Sequence, residues 1–429
     1  MKGRALPGGR WTKASLAAAV AALAAATVGA GSPAKAPKAG SGPVTIQFAE
    51  SGLGTEGQAT QAAINAFEKA NPNIHVTVNV LSPNSTTYLQ QLQNDFLAGS
   101  STPDVFESDV TYPAKFAQAG WALNLSKKFK ANTSQYFKTE VKAGTYKGKL
   151  YAVPWFDNPE GLYYRTDLIK TPPKTPAQVV SDAQAAMKAD PSLKEGLAFE
   201  GKKYEGAITA YLTVETAFGG KLNPSKINTK ANTAALQWLH DAIYKSHIAP
   251  QAVTGWQEAD VQMAYTSGQA AFAINYPFVF PLANMAGSPV AGHTAYIPFP
   301  SSKGSPGSAL GGEMLAINSK TQHAAAAYKL IQYLTSPQVQ VTRAIATGDP
   351  PSRPSAYTPA LYAQAPYFKD VKTLNTYAQP RPVSPQYLQI SNDLQTALSS
   401  VFSNQSTASQ ALSQASSTIK QAASGAPGA

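Results

Sequence analysis

Cysteine is absent from all 429 residues. No disulfide can staple the chain, no thiolate can bind a metal or attack a substrate, and no lipid can be attached through a cysteine thioether. Stability has to come from a large hydrophobic core, which a chain of this length can bury. Charged residues make up only 14% of the sequence, against about 25% in an average globular chain. The five histidines (His75, His240, His247, His293 and His323) are scattered and form no i,i+4 pair. With no His-Glu-x-x-His segment either, no metal site is expected. Neither a Gly-x-Ser-x-Gly elbow nor a phosphate-binding loop occurs, so the common hydrolase and nucleotide triphosphatase signatures are missing.

Long apolar runs are scarce as well. The one at Leu16–Val28 follows Lys2, Arg4, Arg10 and Lys13 and ends in small residues. This is the order of a secretory signal, over residues 1–30, and it falls short of the roughly 20 residues that a spanning helix needs. Cleavage and retention as a short anchor are both compatible with it. A Gly/Pro-rich linker over 31–43 is expected to space the following domain from a membrane or wall. Export across the cytoplasmic membrane is the expected localisation, without lipid anchoring through cysteine. The formal charge of +11 is concentrated here: residues 1–42 hold six basic residues and no acid, so the remainder is basic by only 29 to 24. An excess so small and dispersed gives no expectation of a nucleic-acid partner.

From Val44 the chain alternates as an α/β protein does. Strands are expected at Val44–Ala49, His75–Val80 and Asp104–Glu107, separated by helices near Gln58–Ala70, Tyr88–Ala98 and Tyr112–Gln118, which implies parallel βαβ units. Further helices are expected at Ala177–Ala189, Ile208–Phe218, Asn232–Ser246, Asp260–Ser267, Gln322–Thr335, Gln338–Ala346 and Gln386–Phe402, with a buried strand at Ala270–Asn275. Leu394, Leu398, Val401, Ala408, Leu412, Ala415 and Ile419 keep helical spacing with one interruption near Asn404, so packed helices should continue to about Ala422. The length suits two or three domains.

Gly52-Leu-Gly54-Thr-Glu-Gly57 has the form of a dinucleotide fingerprint, but the second strand ends in Val80-Leu-Ser-Pro-Asn84 without the acid that would hold a ribose. A turn that brings backbone amides and Glu50 to a ligand is the better reading, and no cofactor is expected. Carboxylates recur at strand ends and loops: Glu50, Glu107, Asp109, Asp157, Glu160, Glu258, Asp260 and Glu313. They suit charge-assisted bonds to sugar hydroxyls, or an acid/base pair if two of them flank one glycosidic bond. Glu160 and Asp260 read as solvated loop acids. Among 20 Tyr, 16 Phe and 5 Trp, Trp155, Phe156, Trp256, Tyr276 and Phe278 lie near polar loop residues where a ring could stack on a pyranose face, core packing being the competing reading for each.

Several segments carry a family resemblance, in order, over nearly the whole chain beyond the linker. They include Ala62-Ala-Ile-Asn-Ala-Phe-Glu-Lys-Ala-Asn-Pro72, Thr102-Pro-Asp-Val-Phe106 and Tyr151-Ala-Val-Pro-Trp-Phe-Asp157 with the following Tyr163-Tyr-Arg165. Gly268-Gln-Ala-Ala-Phe-Ala-Ile-Asn-Tyr-Pro-Phe278, Gly311-Gly312, Asp349-Pro-Pro-Ser-Arg353 and Arg381-Pro-Val-Ser-Pro-Gln-Tyr387 continue the series. Together they resemble the family 1 extracellular solute-binding proteins of ABC sugar importers, and look closest to the trehalose and trehalose/maltose binders. Those binders often have Asn-Trp-Pro where this chain has Asn275-Tyr276-Pro277, a smaller stacking surface.

The resemblance implies a two-lobed α/β fold with hinge crossovers and a ligand cleft between the lobes. Lobe one would be 44–157 with 297–338, and lobe two 158–296 with 339–429. It implies a monomer without enzymatic chemistry that closes on an oligosaccharide, such as an α-linked disaccharide, and docks on permease subunits. By resemblance Glu50, Asp109, Asn158, Glu258, Tyr276, Gly312 and Arg381 would contact the sugar, joined by Trp155 and Trp256 from the aromatic pattern. Arg381 is expected to span two hydroxyls with Asp109 opposite it, so that removing either weakens binding and leaves the ligand-free protein stable. A structural salt bridge is the competing reading of Arg381. A secreted glycoside hydrolase using paired carboxylates and a wall-attached sensory or adhesion protein are the rival functions.

Overall fold

The computed structural model describes residues 42–51, 56–82, 85–129, 131–301 and 304–424. The signal segment, almost all of the linker and Gly52–Thr55 of the glycine motif lie outside them.

β-branched and aromatic residues put most of the strands where the chain alternates or is wholly apolar, and neighbouring strands bury the rest. They are β1 (Val44–Glu50), β2 (Ile74–Val80), β3 (Val105–Asp109), β4 (Ala152–Pro159), β5 (Gly161–Arg165), β6 (Glu195–Ala198), β7 (Ala270–Asn275), β8 (Thr294–Ile297), β9 (Ser308–Ile317) and β10 (Ala378–Gln379). Around them stand α1 (Glu56–Ala70), α2 (Lys138–Ala143), α3 (Pro176–Ala189), α4 (Glu205–Ala217), α5 (Lys230–Tyr244), α6 (Glu258–Thr266), α7 (Ala324–Leu334), α8 (Pro337–Thr347), α9 (Phe368–Asn375), α10 (Tyr387–Phe402) and α11 (Ala408–Ser424). The interruption expected near Asn404 is real: its φ is +58°, between α10 and α11.

Two sheets make two lobes. The first has the order β10-β9-β3-β1-β2, with β4 also paired to β9. Its β2, β1 and β3 are parallel, as the βαβ pattern implies, whereas β9 runs antiparallel to both β3 and β4. The second sheet has the order β8-β5-β7-β6. Ile46, Phe48, Phe67, Val105, Trp155 and Leu315 belong to the core of the first sheet. Leu162, Ile208, Phe272, Leu394, Leu398 and Leu412 fill the second, so α10 and α11 close that lobe.

The chain passes between the sheets at Glu160, between β4 and β5, and returns between β8 and β9. These crossings are bonded to one another. Glu160 N donates to Ala309 O at 2.9 Å, Ser308 Oγ donates to Glu160 O at 2.7 Å, and Tyr296 OH donates to Pro159 O at 2.6 Å. The segment after α8 joins them, since Asp157 N donates to Pro350 O at 2.8 Å and Ser352 Oγ to Pro154 O at 3.1 Å. Such close contact needs small residues on β9. A Cβ on Gly312, whose φ is +114°, would lie 2.5 Å from Phe156 O.

Gly312→Ala should therefore cost about 1–3 kcal/mol, the scale of local backbone strain, in urea denaturation of the ligand-free protein. Unchanged stability would mean that the crossing does not depend on this close approach.

Candidate functional site

The carboxyl ends of the first lobe's parallel strands face the gap between the lobes, the position where open α/β sheets bind ligands. Glu50 ends β1, and Glu107 and Asp109 lie on the same face of β3. Glu313 on β9 stands directly opposite Asp109. Ser51 N and Oγ donate to Glu107 at 2.8 and 2.9 Å, and Thr111 N and Oγ1 donate to Asp109 at 2.8 and 2.6 Å. Burial pushes Glu50 up to about 7. Burial, then the neighbouring Glu107 and Asp109, holds Glu313 well above the usual carboxylate range.

Asn158 comes from the end of β4, beside the crossing, and Tyr276 and Glu258 come from the second lobe. Asn275, fully buried, positions the last two: its Nδ2 donates to Glu258 O at 2.9 Å, and its Oδ1 accepts from Tyr276 N at 2.8 Å. The Tyr276 hydroxyl donates to Thr209 Oγ1 at 2.9 Å, which fixes the ring. A Cβ on Gly311 would stand 3.0 Å from that ring and 2.8 Å from Asn158 O, so the glycine pair brings β9, Asn158 and Tyr276 together. Glu258 is half-buried and raised by desolvation.

Two guanidiniums border this acidic surface, and both are held by protein carboxylates. Arg343 lies 2.9 Å from Asp349 and 3.9 Å from Glu56, donates to Thr60 Oγ1 at 3.0 Å, and stacks 4.4 Å from the Trp155 ring. Arg381, 4% exposed, lies 2.8 Å from Glu205 at the start of α4 and 3.5 Å from Asp109. Glu205 also accepts from Tyr387 and, at 2.6 Å, from Ser391 on α10. The pairing of Arg381 with Asp109 across the lobes is present, but a cation this enclosed is also part of the scaffold.

Other candidates fall elsewhere. Trp155 is 2% exposed and sits edge-on to Phe48 at 5.8 Å. Its ring belongs to the core, with Arg343 over one face, and presents no free face to a ligand, which corrects the aromatic reading of this residue. Trp256 is half-buried and borders an open groove with Met263, Leu282, Met285 and Pro289, all second-lobe residues. Glu160 is not a solvated loop acid: it is fully buried and accepts from Thr209 and Thr213. Asp260 caps its own helix, accepting from Gln257 N at 2.8 Å. Glu200, Glu205, Asn275 and Arg343 were missed, because nothing local marks a residue whose partners lie in another element. Among the described residues there is no group of three His, Cys, Asp or Glu able to hold a metal, and no helix is long and apolar enough to cross a membrane.

A family model described as bacterial extracellular solute-binding protein matches residues 51–341. A probable ABC transporter-binding protein of Deinococcus radiodurans is 31% identical over 389 residues, covering 86% of this chain and 91% of its own. Among solved structures, maltose-bound MalE3 of T. maritima is similar with a TM-score of 0.81 and 29% identity, over 88% of this chain and 99% of its own. A solute-binding protein of Thermotoga lettingae TMO, bound with α-D-tagatose, has a TM-score of 0.77 and 26% identity, over 89% and 100%.

The burial of Arg381 revises the expectation that its removal spares the ligand-free protein. Arg381→Ala, which leaves Glu205 and Asp109 without their cation, should lower stability by about 3 kcal/mol, as loss of one partner of a buried ion pair does. Arg381→Lys should recover part of that loss, a point charge replacing a two-pronged donor. Urea denaturation measures both, and an undisturbed Arg381→Ala protein would remove the guanidinium from the scaffold.

Proposed function

Since the chain belongs to the bacterial extracellular solute-binding proteins, we propose that it is the sugar-capturing component of an ABC importer. Its ligand is an uncharged α-linked oligosaccharide, a disaccharide such as trehalose or maltose. The observation that carries this reading is the charge state of the cleft. Both bordering guanidiniums already face carboxylates of the protein, so an anionic ligand would meet acids and, among the described residues, find no free cation there. Carboxylates, the Asn158 amide and a fixed tyrosine ring remain. Carboxylates accept strong bonds from sugar hydroxyls, and a ring can cover the apolar C–H face. The maltose and tagatose in the two solved relatives are ligands of this uncharged kind.

Glu50, Asp109, Gly312 and Asn158 would meet the sugar from the side of the first sheet and Glu258 and Tyr276 from the other, with Arg381 holding Asp109 in place. The moving bodies would be close to 44–157 with 297–338 and 158–296 with 339–429, with the end of β4 and β10 staying with the first sheet. A ligand that touches both shifts the balance toward closure because it prefers the closed state. The monomer would then deliver the sugar to membrane permease subunits, with no chemical step in the protein itself.

Calorimetry against a panel of neutral, amino and acidic sugars tests this reading. A neutral α-disaccharide should bind, and affinity should survive EDTA. Tyr276→Ala and Glu258→Ala should each lose about 1.5–3 kcal/mol of binding, the scale of a hydrogen bond to a charged group. Preference for an acidic sugar would contradict the charge argument, and release of reducing sugar during titration would favour a glycoside hydrolase instead.

A further inference from the structure

Four carboxyls surround the point where the chain first passes between the lobes, and they form two pairs. Asp157, near the end of β4, faces Glu140 of α2, and Glu160, at the crossing itself, faces Glu200. All four are at most 1% exposed. Asp157 Oδ2, Glu140 Oε1 and both Glu200 oxygens are buried with no N–H or O–H of another group to accept from. Carboxylate oxygens only accept, so a contact between two of them is attractive only if one carries a proton.

The surrounding groups supply no compensating charge. Tyr357 and Tyr296 face the first pair, with the Asn158 backbone amide donating to Asp157 at 2.8 Å. The second pair faces Thr209, Thr213, Tyr276, Tyr296, Tyr204 and Glu258. The guanidiniums of Arg343, Arg353 and Arg381 are engaged elsewhere, the first with Asp349, the second with Tyr136 and the third with Glu205 and Asp109.

We propose that the crossing is held by two shared protons, one between Asp157 and Glu140 and one between Glu160 and Glu200, which makes it a pH-sensitive joint that loosens as the medium turns alkaline. The packed joint binds protons that a loosened, hydrated joint would release, because hydrated carboxyls return to their ordinary range near 4. Desolvation raises Asp157 and Glu160 to about 7 and holds their partners well above the usual carboxylate range. Folded-state values raised in this way give stability that is complete below the ordinary range and is lost as pH rises through about 7 and beyond. Each proton released on loosening changes the opening constant about tenfold per pH unit within that window.

Hydrogen exchange of the full ligand-free chain at pH 5.5, 7 and 8.5, corrected for intrinsic rates, tests this, with infrared detection of protonated carboxyls alongside. Protection of 152–165 and 308–317 should fall at least about tenfold across the range, while β1 and β2 change less. A protonated-carboxyl band should persist at pH 7 and fade on alkalinisation. Glu140→Gln and Glu200→Gln, whose amides donate where the protons stood, should each shrink the band and flatten the pH dependence. A missing band at pH 7, or variants with the wild-type pH profile, would overturn the proposal. If a variant does not fold, the wild-type infrared titration decides it alone.

Discussion

The contact of β9 with the β4–β5 crossing is the constraint from which the rest of the structure follows. Two antiparallel strands meet where the chain changes lobes, and the Gly311-Gly312 pair lets the backbones and the Tyr276 ring come closer than side chains would permit. That closeness places Asn158 at the end of β4 and Tyr276 of the second lobe beside β9, whose Glu313 stands opposite Asp109 on β3. A cleft with acids on one wall and a fixed ring on the other is the direct result. The bonds among Glu160, Ala309, Ser308 and Pro159 give the joint order without bulk.

Electrostatics then divides the carboxyls by their partners. Asp109 and Glu205 share Arg381, while Asp349 and Glu56 share Arg343, and an ion pair removed from water is tolerable only when both charges are present. Asp157, Glu140, Glu160 and Glu200 have no cation, and burial raises all four. On the face proposed for the ligand, half-buried Glu258 and Glu313 offer acceptors with only partial access to water, where a hydroxyl donor is worth more than it would be in bulk solvent.

Much of the first lobe was legible because its parallel strands are separated by helices with clear 3.6-residue spacing, and the pairing of β2, β1 and β3 is the one that pattern implies. The Tyr151-Ala-Val-Pro run marked the crossing. By contrast β6, β8 and the first half of β9 were not anticipated. Glu195-Gly-Leu-Ala198 and Ser308-Ala-Leu-Gly-Gly-Glu313 lack the alternation or β-branched content that identifies a strand, and form one because their neighbours bury them. At the site, side-chain chemistry was readable and side-chain direction was not. Trp155 and Tyr276 both lie beside polar loop residues, yet one ring turns into the core against Phe48 and the other is fixed by Thr209. The two readings of Arg381 could be separated only by a partner, Glu205, lying 176 residues away in sequence.

The central claim is that a neutral sugar draws the two lobes together. The lack of native cysteine makes a distance measurement direct, since introduced thiols are the only ones in the chain. Lys69→Cys on α1 and Lys188→Cys on α3, both exposed positions on different lobes, can carry a pair of spin labels. Pulsed dipolar spectroscopy should show a broad distance distribution without ligand and a shift to a shorter, narrower one with saturating trehalose or maltose. A distribution that no neutral saccharide moves, or that moves only with an anionic solute, would contradict the account.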